Sequence, residues 1–189
     1  PPPPIHAPKC AVEIIALLAS AGGLKAISVV LTALPRDFPV PIVIVQHLSP
    51  RQPSLMAEIL SRRTALRVTQ AQEGEALRPA HVYLAPPDHH LIVTRQRRIS
   101  LTLTEKVHHV RPSGDVLFES VAAATGLLAV KDAGGLTIAQ DEASSESFSM
   151  PRTAIETGGV DHILALEDIA PMLLSLVASG YAVPLTSVT

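Results

Sequence analysis

Apolar and polar residues along the chain follow two different periods. Unbroken apolar runs, several of them rich in β-branched residues, are typical of strands buried on both faces. These runs predict strands at 12–18, 40–46, 66–71, 81–85, 136–140 and 160–166. Apolar residues at helical spacing predict helices at 22–34, 53–64, 113–125, 151–157 and 167–179. Ser113 is the expected cap of the third of these helices.

Strands that alternate with helices indicate an α/β fold, with a doubly wound, mostly parallel sheet and helices on both faces. Residues 91–94 and 99–104 alternate around a basic turn and predict an antiparallel hairpin at one edge. The alternation breaks at 127–132, which has a helical pattern where a strand is expected. Residues 13–180 are expected to form one domain, between a proline-rich tail at 1–12 and a second tail at 181–189.

Composition excludes several classes of function. The net charge of −2 and the 3% aromatic content give little basis for nucleic-acid binding. No apolar run reaches about 18 residues, so no membrane insertion is expected. The single cysteine, Cys10, excludes an intrachain disulfide and lies in the predicted tail, where we expect no catalytic role. These features favour a cytoplasmic protein.

Two polar residues follow neighbouring predicted strands, and together they suggest nucleophilic chemistry. Ser20 comes after the first strand and His47 after the second, so both are expected at the carboxyl edge of the sheet, where ligands bind. A histidine that removes the hydroxyl proton turns serine into an effective nucleophile. The N–H groups of Ala21, Gly22 and Gly23, at the start of a helix, would stabilise an oxyanion.

Simpler interpretations of the same residues remain open. A serine before a helix is most often an N-cap, and a glycine-rich turn there can hold a phosphate. The dinucleotide fingerprint is absent, and the hydrolase elbow G-x-S-x-G is half present, with Leu18 in place of its first glycine. The histidine pairs at 89–90 and 108–109 have adjacent side chains that point apart on a strand. We therefore expect neither a metal nor a cofactor.

Several segments, in this order, resemble the chemotaxis protein-glutamate methylesterase family, CheB. They are ASAGGLKAI, VIVQHLSP, EGEALRPAHVYLAPPDHHL, VRPSGDVLFESVA, AQDEASS and SMPRTAIETGGVDHIL, and the similarity extends from about Glu13 to Val177. The resemblance implies an α/β serine hydrolase that removes methyl esters from chemoreceptor glutamates, and in some members deamidates glutamines. It places the nucleophile at Ser20 and the catalytic histidine at His47. The expected partners are methylated chemoreceptor helices or a similar methyl-ester protein.

The resemblance also suggests residues of a substrate cleft. Arg111 lies in a segment near the family's site and would offer charge to an acidic receptor helix, or is simply a solvated arginine. Asp141, Glu142 and Met150 match a segment that lines the same cleft, or form only a turn and a helix cap. The ASAGG form is similar to free-standing and methyltransferase-fused members. No receiver domain precedes the tail, so phosphorylation control within this chain is not expected.

One departure from the family pattern concerns its third catalytic residue, an aspartate in a T-G-M-G-x-D-G segment. Here Ala122–Gly126 continues directly into Leu127–Asp132, so the strand and its aspartate loop are missing; Asp132 and Asp141 match other family positions. Either a loop has been left out of the sequence near 125–127, or the deletion is genuine. The first explanation is favoured because a deleted central strand would expose two strand edges. A genuine deletion favours a catalytically impaired module that binds receptor or signalling partners.

Overall fold

The computed structural model describes residues 13–46, 54–107, 110–124 and 135–179. Within these residues the order of elements is β1 Ile15–Ala19, α1 Gly23–Thr32, β2 Ile42–Gln46, α2 Met56–Ser61, β3 Arg67–Gln70, β4 His81–Leu84, β5 His90–Val93, β6 Ile99–Thr102, α3 Gly114–Ala124, β7 Ile138–Gln140, α4 Ser149–Glu156, β8 His162–Leu164 and α5 Leu166–Ala178. Each strand and helix predicted from the pattern within these residues is present, with ends that differ by a few residues.

The centre of the fold is a four-stranded parallel sheet in the order β1-β2-β4-β3. All five residues of β2 are buried, because this strand is hydrogen-bonded on both sides and covered on both faces. A strand in that position must be apolar on both faces, which explains its continuous run of β-branched residues. Because the strands are parallel, the carboxyl ends of all four lie at one edge of the sheet. Residues that follow these strands are therefore brought together at that edge.

Successive residues of β2 pack into two separate cores. Ile42 and Ile44 belong to a core that is shared with α1, α2 and α5. Val43 and Val45 belong to a second core on the opposite face, which Leu117 of α3 and the β5–β6 hairpin complete. Helices on both faces of a mostly parallel sheet confirm the predicted fold class. The antiparallel pair is also present, but it forms a separate sheet packed on one face and does not extend an edge.

The start of α3 holds this helix against β1. Ser113 is the cap that the sequence predicts, since its Oγ accepts a hydrogen bond from the N–H of Asp115 at 3.2 Å. A Cβ on Gly114 would collide with the side chain of Leu18, so glycine permits the close approach of helix and strand. Ser113 also donates its backbone N–H to Nδ1 of the fully buried His90 at 3.1 Å, which ties α3 to the hairpin.

A cavity of about 590 Å³ separates β1 from β7. β7 pairs only with β8, in a separate parallel sheet, and the outer edge of β1 has no partner strand among the described residues. The N–H of Ile15 donates to the carbonyl of Pro41, and the N–H of Asp141 donates to the carbonyl of Leu164. These bonds show which residues of β1 and β7 direct their backbone groups towards the paired strand. Alternate residues such as Leu18 and Ile138 therefore direct their backbone groups away from β2 and β8. Both residues line the cavity.

The interruption in the predicted alternation of strands and helices falls at the same place, between α3 and β7. The helical pattern at 127–132 lies outside the described residues, as does the join at 125–127. Between α3 and β7 the described residues contain no strand. The cavity thus occupies the position in which an alternating β-α-β order would place one more strand.

Candidate functional site

Ser20 immediately follows β1 at the carboxyl edge of the sheet and lines the cavity. Its carbonyl oxygen accepts two hydrogen bonds, from the N–H of Gly23 at 2.9 Å and from Nε2 of Gln46 at 2.7 Å. These two bonds fix the backbone of the turn between β1 and α1. The Ser20 residue is partly exposed, in a position that a ligand in the cavity would contact.

The structure does not support the interpretation of Ser20 as a helix cap. The N-cap of α1 is Gly22, and no side chain makes a capping hydrogen bond there. Gly22 has a φ of 80°, a left-handed conformation that a side chain would strain. The hydroxyl of Ser20 is therefore not used to start the helix, so this simplest explanation of its presence is removed.

Of the three N–H groups predicted to hold an oxyanion, one is already used. Gly23 donates its N–H to Ser20, whereas in the described part of the chain no acceptor is bonded to the N–H of Ala21 or Gly22. The N–H of Gly23 thus closes the turn, and the prediction of an oxyanion site is carried by Ala21 and Gly22. Ala21 and Gly22 keep N–H groups that are available to a ligand.

Gly23 has a packing role instead. A Cβ at this position would collide with Oε1 of Gln46 and would lie 2.7 Å from the Cβ of Ala19. Because Gln46 also holds the carbonyl of Ser20, the absence of a side chain at position 23 lets the end of β2 brace the serine turn. Neither role of Gln46 could be read from the sequence, in which it is only the last residue of an apolar run.

Glu146 is a second residue that the sequence analysis missed. A Cβ on Gly22 would lie 2.7 Å from Oε2 and 2.9 Å from Cβ of Glu146, so this side chain lies directly against the turn. Its Oε1 also pairs with Nζ of Lys25 of α1 at 3.0 Å, in an exposed ion pair. Glu146 therefore places a negative charge beside Gly22, one of the two residues whose N–H groups would hold an oxyanion.

The register of the sheet relates Ser20 to the predicted histidine. Ala19 of β1 pairs with Gln46 of β2, and the next residue along each strand is Ser20 or His47. His47 lies outside the described residues, so its role stays a prediction.

Arg111 is not among the residues that line the cavity. Its Nε and Nη2 donate to Oδ1 of Asp88 at 3.0 and 2.9 Å, and its Nη1 donates to the carbonyls of Leu103 and Thr104. All of these acceptors belong to the loops around the β5–β6 hairpin. A mostly buried guanidinium with this many partners is held in place and is not a solvated arginine. Its role toward a receptor helix stays a prediction.

The three remaining cleft residues separate into two groups. Met150 lines the cavity together with Ser20, whereas Asp141 and Glu142 are not among its lining residues. Oδ1 of Asp141 accepts hydrogen bonds from the Oγ and the N–H of Ser144, at 2.6 and 2.9 Å. These bonds stabilise the carboxylate and lower the pKa of Asp141. Asp141 thus builds the turn after β7, the plainer of its two expected roles.

The histidine pair at 89–90 is engaged with the backbone. Nδ1 of His89 lies 2.9 Å from the carbonyl of Pro87. Nδ1 of His90 accepts the N–H of Ser113, so Nε2 carries the proton and donates to the carbonyl of Glu105 at 3.0 Å. His108 and His109 lie outside the described residues. No group of three or more potential metal ligands occurs in the part of the chain that the structure describes.

Fold and turn together define an α/β protein with a candidate nucleophile at the carboxyl edge of a parallel sheet. The sequence profile of the family described as CheB methylesterase matches residues 15–126 and 123–173. The chain therefore belongs to the CheB methylesterase family. The crystal structure of the Thermotoga maritima CheB methylesterase catalytic domain superposes with a TM-score of 0.82 at 30% identity, covering 87% of this chain and 98% of that one.

Two curated relatives extend the comparison. A putative protein-glutamate methylesterase/protein-glutamine glutaminase of Leptospira interrogans is 36% identical over 182 residues, which cover 87% of this chain and 94% of the relative. Protein-glutamate methylesterase/protein-glutamine glutaminase 2 of Pseudomonas aeruginosa is 40% identical over 199 residues, or 94% of this chain. The chain spans only 57% of the length of that second relative.

The comparisons also locate a difference from the family. The two matched stretches of the profile meet at residues 123–126, the result expected for a chain that lacks a family segment there. The Leptospira alignment is 182 residues long, whereas 87% of 189 residues is about 164, so about 18 positions have no counterpart in this chain. The open edge of β1 and the cavity beside it lie at the same point of the fold.

Among the described residues, no helix is both long and apolar enough to cross a membrane.

Proposed function

We propose that this chain is a protein-glutamate methylesterase in which Ser20 is the nucleophile and His47 the general base. The proposal also includes deamidation of glutamine side chains, the second activity in the names of the relatives. The observation that carries it is the position of Ser20: the residue follows a parallel strand, caps no helix and lines a cavity.

In this mechanism Oγ of Ser20 attacks the carbonyl carbon of the glutamyl methyl ester while His47 accepts the hydroxyl proton. The N–H groups of Ala21 and Gly22 bind the oxyanion of the tetrahedral intermediate. His47 then returns the proton to the methoxide, which leaves as methanol. Water hydrolyses the acyl-enzyme, which regenerates Ser20 and releases the glutamate side chain.

The proposed substrates are methylated chemoreceptor helices or a similar methyl-ester protein, and the proposed compartment is the cytoplasm. The names of the relatives support the substrate class. We assign Met150 to the substrate cleft, because it lines the same cavity as Ser20. An apolar side chain there would contact the aliphatic part of the glutamyl ester.

The Ser20→Ala variant tests the proposal directly. Loss of the nucleophile should reduce methanol release from a methylated receptor fragment by at least about 10³-fold, since only the binding site and its oxyanion donors remain. Ser61→Ala is the matched control, because Ser61 is exposed at the end of α2 and its Oγ bonds only the carbonyl of Glu58. Methanol release that is unchanged in Ser20→Ala would contradict the assignment.

A second candidate function is a binding module of the same family without turnover. The open edge of β1 favours it, because the strand and aspartate loop that the family resemblance implies have no counterpart between α3 and β7 in the described residues. A serine nucleophile whose aspartate partner is compromised loses roughly 10⁴ in kcat. The module would then retain the family surface and bind receptor or signalling partners.

Binding and turnover measured on the same sample distinguish the two candidates. Saturable binding of a methylated receptor fragment, with methanol release no faster than in Ser20→Ala, would favour the binding module. Release that depends on Ser20 would favour the enzyme. Failure to bind the fragment at all would remove the module.

An anion site at the serine turn was the third interpretation of the sequence. Glu146 counts against it, because its carboxylate lies against Gly22 and would repel a phosphate bound to the same N–H groups.

A further inference from the structure

A second cavity, of about 470 Å³, lies at the opposite edge of the sheet from Ser20. Its lining includes Arg67 and His81, the first residues of β3 and β4, whereas Ser20 follows the last residue of β1. Because the four strands are parallel, the amino ends of β3 and β4 are far from the carboxyl edge. Arg36 and Arg78 also line this cavity, so three of its lining residues are arginines.

The backbone of Ala80 joins the three segments that carry the arginines. Its N–H donates to the carbonyl of Phe38 at 2.8 Å, which holds the turn that contains Arg36. Its carbonyl accepts the N–H of Arg67 at 3.1 Å. Ala80 itself has a φ of 57°, a left-handed conformation that is uncommon for alanine. The chain from Arg78 to His81 is thereby bent so that all three segments face one space.

The charges at this cavity are not neutralised by the described part of the chain. Arg36, Arg67 and Arg78 are exposed, and no carboxylate among the described residues forms an ion pair with any of them. Burial lowers the pKa of His81, and the charges of Arg67 and Arg78 lower it further, against an opposing effect of Glu75. Arg67 and Arg78 thus both place positive charge near His81.

His81 also fixes the position of the cavity wall. Its ring stacks on the fully buried ring of Tyr83 with centroids 4.0 Å apart, and its Nε2 lies 2.8 Å from Oγ1 of Thr69. The hydroxyl of Tyr83 accepts the N–H of Arg78 at 3.0 Å, which anchors the backbone that carries this arginine. The backbone that carries Arg67 and Arg78 therefore belongs to a hydrogen-bonded wall of the cavity.

We propose that this cavity binds a phosphate group, in the form of inorganic phosphate or a phosphate monoester. Planar guanidinium groups bind phosphate oxygens through paired, charge-assisted hydrogen bonds. Three positive groups around one space suit a dianion with three terminal oxygens better than a carboxylate, which has two oxygens and one charge. The site is separate from Ser20 and is independent of the proposed esterase activity.

Calorimetric titration with inorganic phosphate tests the site, with chloride at equal ionic strength as the reference. Saturable binding is expected for the wild type, and Arg67→Gln and Arg78→Gln should each weaken it about tenfold through the loss of charge-assisted bonds. Arg95→Gln is the matched control, because this exposed arginine lies in the turn between β5 and β6 and outside the cavity lining. It should bind phosphate as the wild type does.

Thermal melts in phosphate-free buffer establish that each variant is folded before titration. Phosphate that binds no better than chloride would overturn the proposal, and so would a loss of binding in Arg95→Gln equal to that in Arg67→Gln. A parallel titration with O-phosphoserine distinguishes the two sources. Binding by both ligands supports a site for monoesters, and binding by inorganic phosphate alone supports a site for the free ion.

Discussion

At the scale of single residues, two features of the candidate site require a glycine at position 22. Gly22 adopts a left-handed backbone to start α1, and the side chain of Glu146 occupies the space that a Cβ at this position would need. Its N–H is one of two that remain available to an oxyanion. A carboxylate at this position opposes the negative charge that develops on the ester oxygen in the transition state.

The Glu146→Gln substitution should therefore raise the rate of methanol release. Removal of the carboxylate takes away its repulsion of the oxyanion and leaves Lys25 without its anionic partner, so both changes favour negative charge at the turn. We expect an increase in kcat of about threefold to tenfold, measured on a methylated receptor fragment. Glu156→Gln, a change of the same kind at the exposed end of α4, should leave the rate unchanged. A slower Glu146→Gln enzyme would indicate that the carboxylate assists catalysis.

Gly23 should tolerate no side chain, for a reason of packing. The Gly23→Ala substitution inserts a Cβ against Gln46 and Ala19, and we expect it to reduce the free energy of unfolding by about 1–3 kcal/mol. Gly159→Ala is the control, since its Cβ would meet only Oγ1 of Thr157 at 3.4 Å, and a change within about 0.5 kcal/mol is expected. Denaturant unfolding measures both. Equal stability of the two variants would show that Gln46 does not brace the turn.

Single residues also show where sequence reasoning fails. Ser20 was predicted at a strand end because an apolar run stops there, and the structure places it so. The position of Glu146 depends on how the turn after β7 folds back over α1, a contact between residues far apart in sequence. Arg111 was assigned to the cleft through the family resemblance, but its acceptors come from a loop and a hairpin end that no local pattern brings together.

At the scale of elements, β3 and β4 are joined by a buried histidine whose protonation affects stability. Burial lowers the pKa of His81 below its ordinary value, with Arg67 as the next cause. The unfolded chain therefore binds a proton more readily than the folded one as the pH falls. The contribution of His81 is complete above the unfolded pKa of about 6.5 and is lost as the pH falls towards the folded value.

The His81→Gln variant should remove this part of the pH dependence. Between about pH 7.5 and pH 5.5, in phosphate-free buffer, the wild type should lose more unfolding free energy than His81→Gln. His162→Gln, at the partly exposed first residue of β8, is the control and should follow the wild type. A variant whose pH dependence matches that of the wild type would contradict the role of His81.

Elements were the best-predicted level of this structure. Buried parallel strands are unbroken apolar runs and amphipathic helices have a regular spacing, so local sequence is enough to locate them. The sequence predicts that β5 and β6 pair, but it does not predict that the hairpin packs on one face of the parallel sheet. Alternating apolar and polar residues show that one side of the hairpin is buried, and they do not show what that side packs against. In the structure, the buried side of the hairpin includes Leu91 and Ile99 and packs in the same core as Leu117 of α3.

At the scale of the whole molecule, the cavity between β1 and β7 is the main interruption of the fold in the described residues. Backbone groups of Leu18 and Ile138 face a space of about 590 Å³ that, within the described residues, no strand fills. The broken alternation at 127–132 predicted an irregularity at this point. Its form in the described residues, two separate parallel sheets instead of one, could not be predicted from local pattern, because it depends on which strand edges find partners.

Restoring the family segment should increase both stability and activity. We predict that insertion of the corresponding segment of the Pseudomonas aeruginosa relative between Gly126 and Leu127 raises Tm by at least about 4 °C, because it pairs open edges and fills an apolar cavity. The rate of methanol release should rise by as much as about 10⁴-fold if an aspartate is thereby supplied to His47. A glycine–serine insertion of equal length is the control and should give neither gain. Equal behaviour of the two insertions would contradict this account of the cavity.

The central claim, that Ser20 is an activated nucleophile, is tested most directly by covalent labelling. The folded wild-type protein would be treated with a fluorophosphonate, which reacts with activated serines, and the modified peptide identified by mass spectrometry. We expect a label on Ser20 that disappears in Ser20→Ala and after denaturation, and that persists in Ser61→Ala. A folded protein in which Ser20 stays unlabelled, or is labelled no faster than after denaturation, would contradict it.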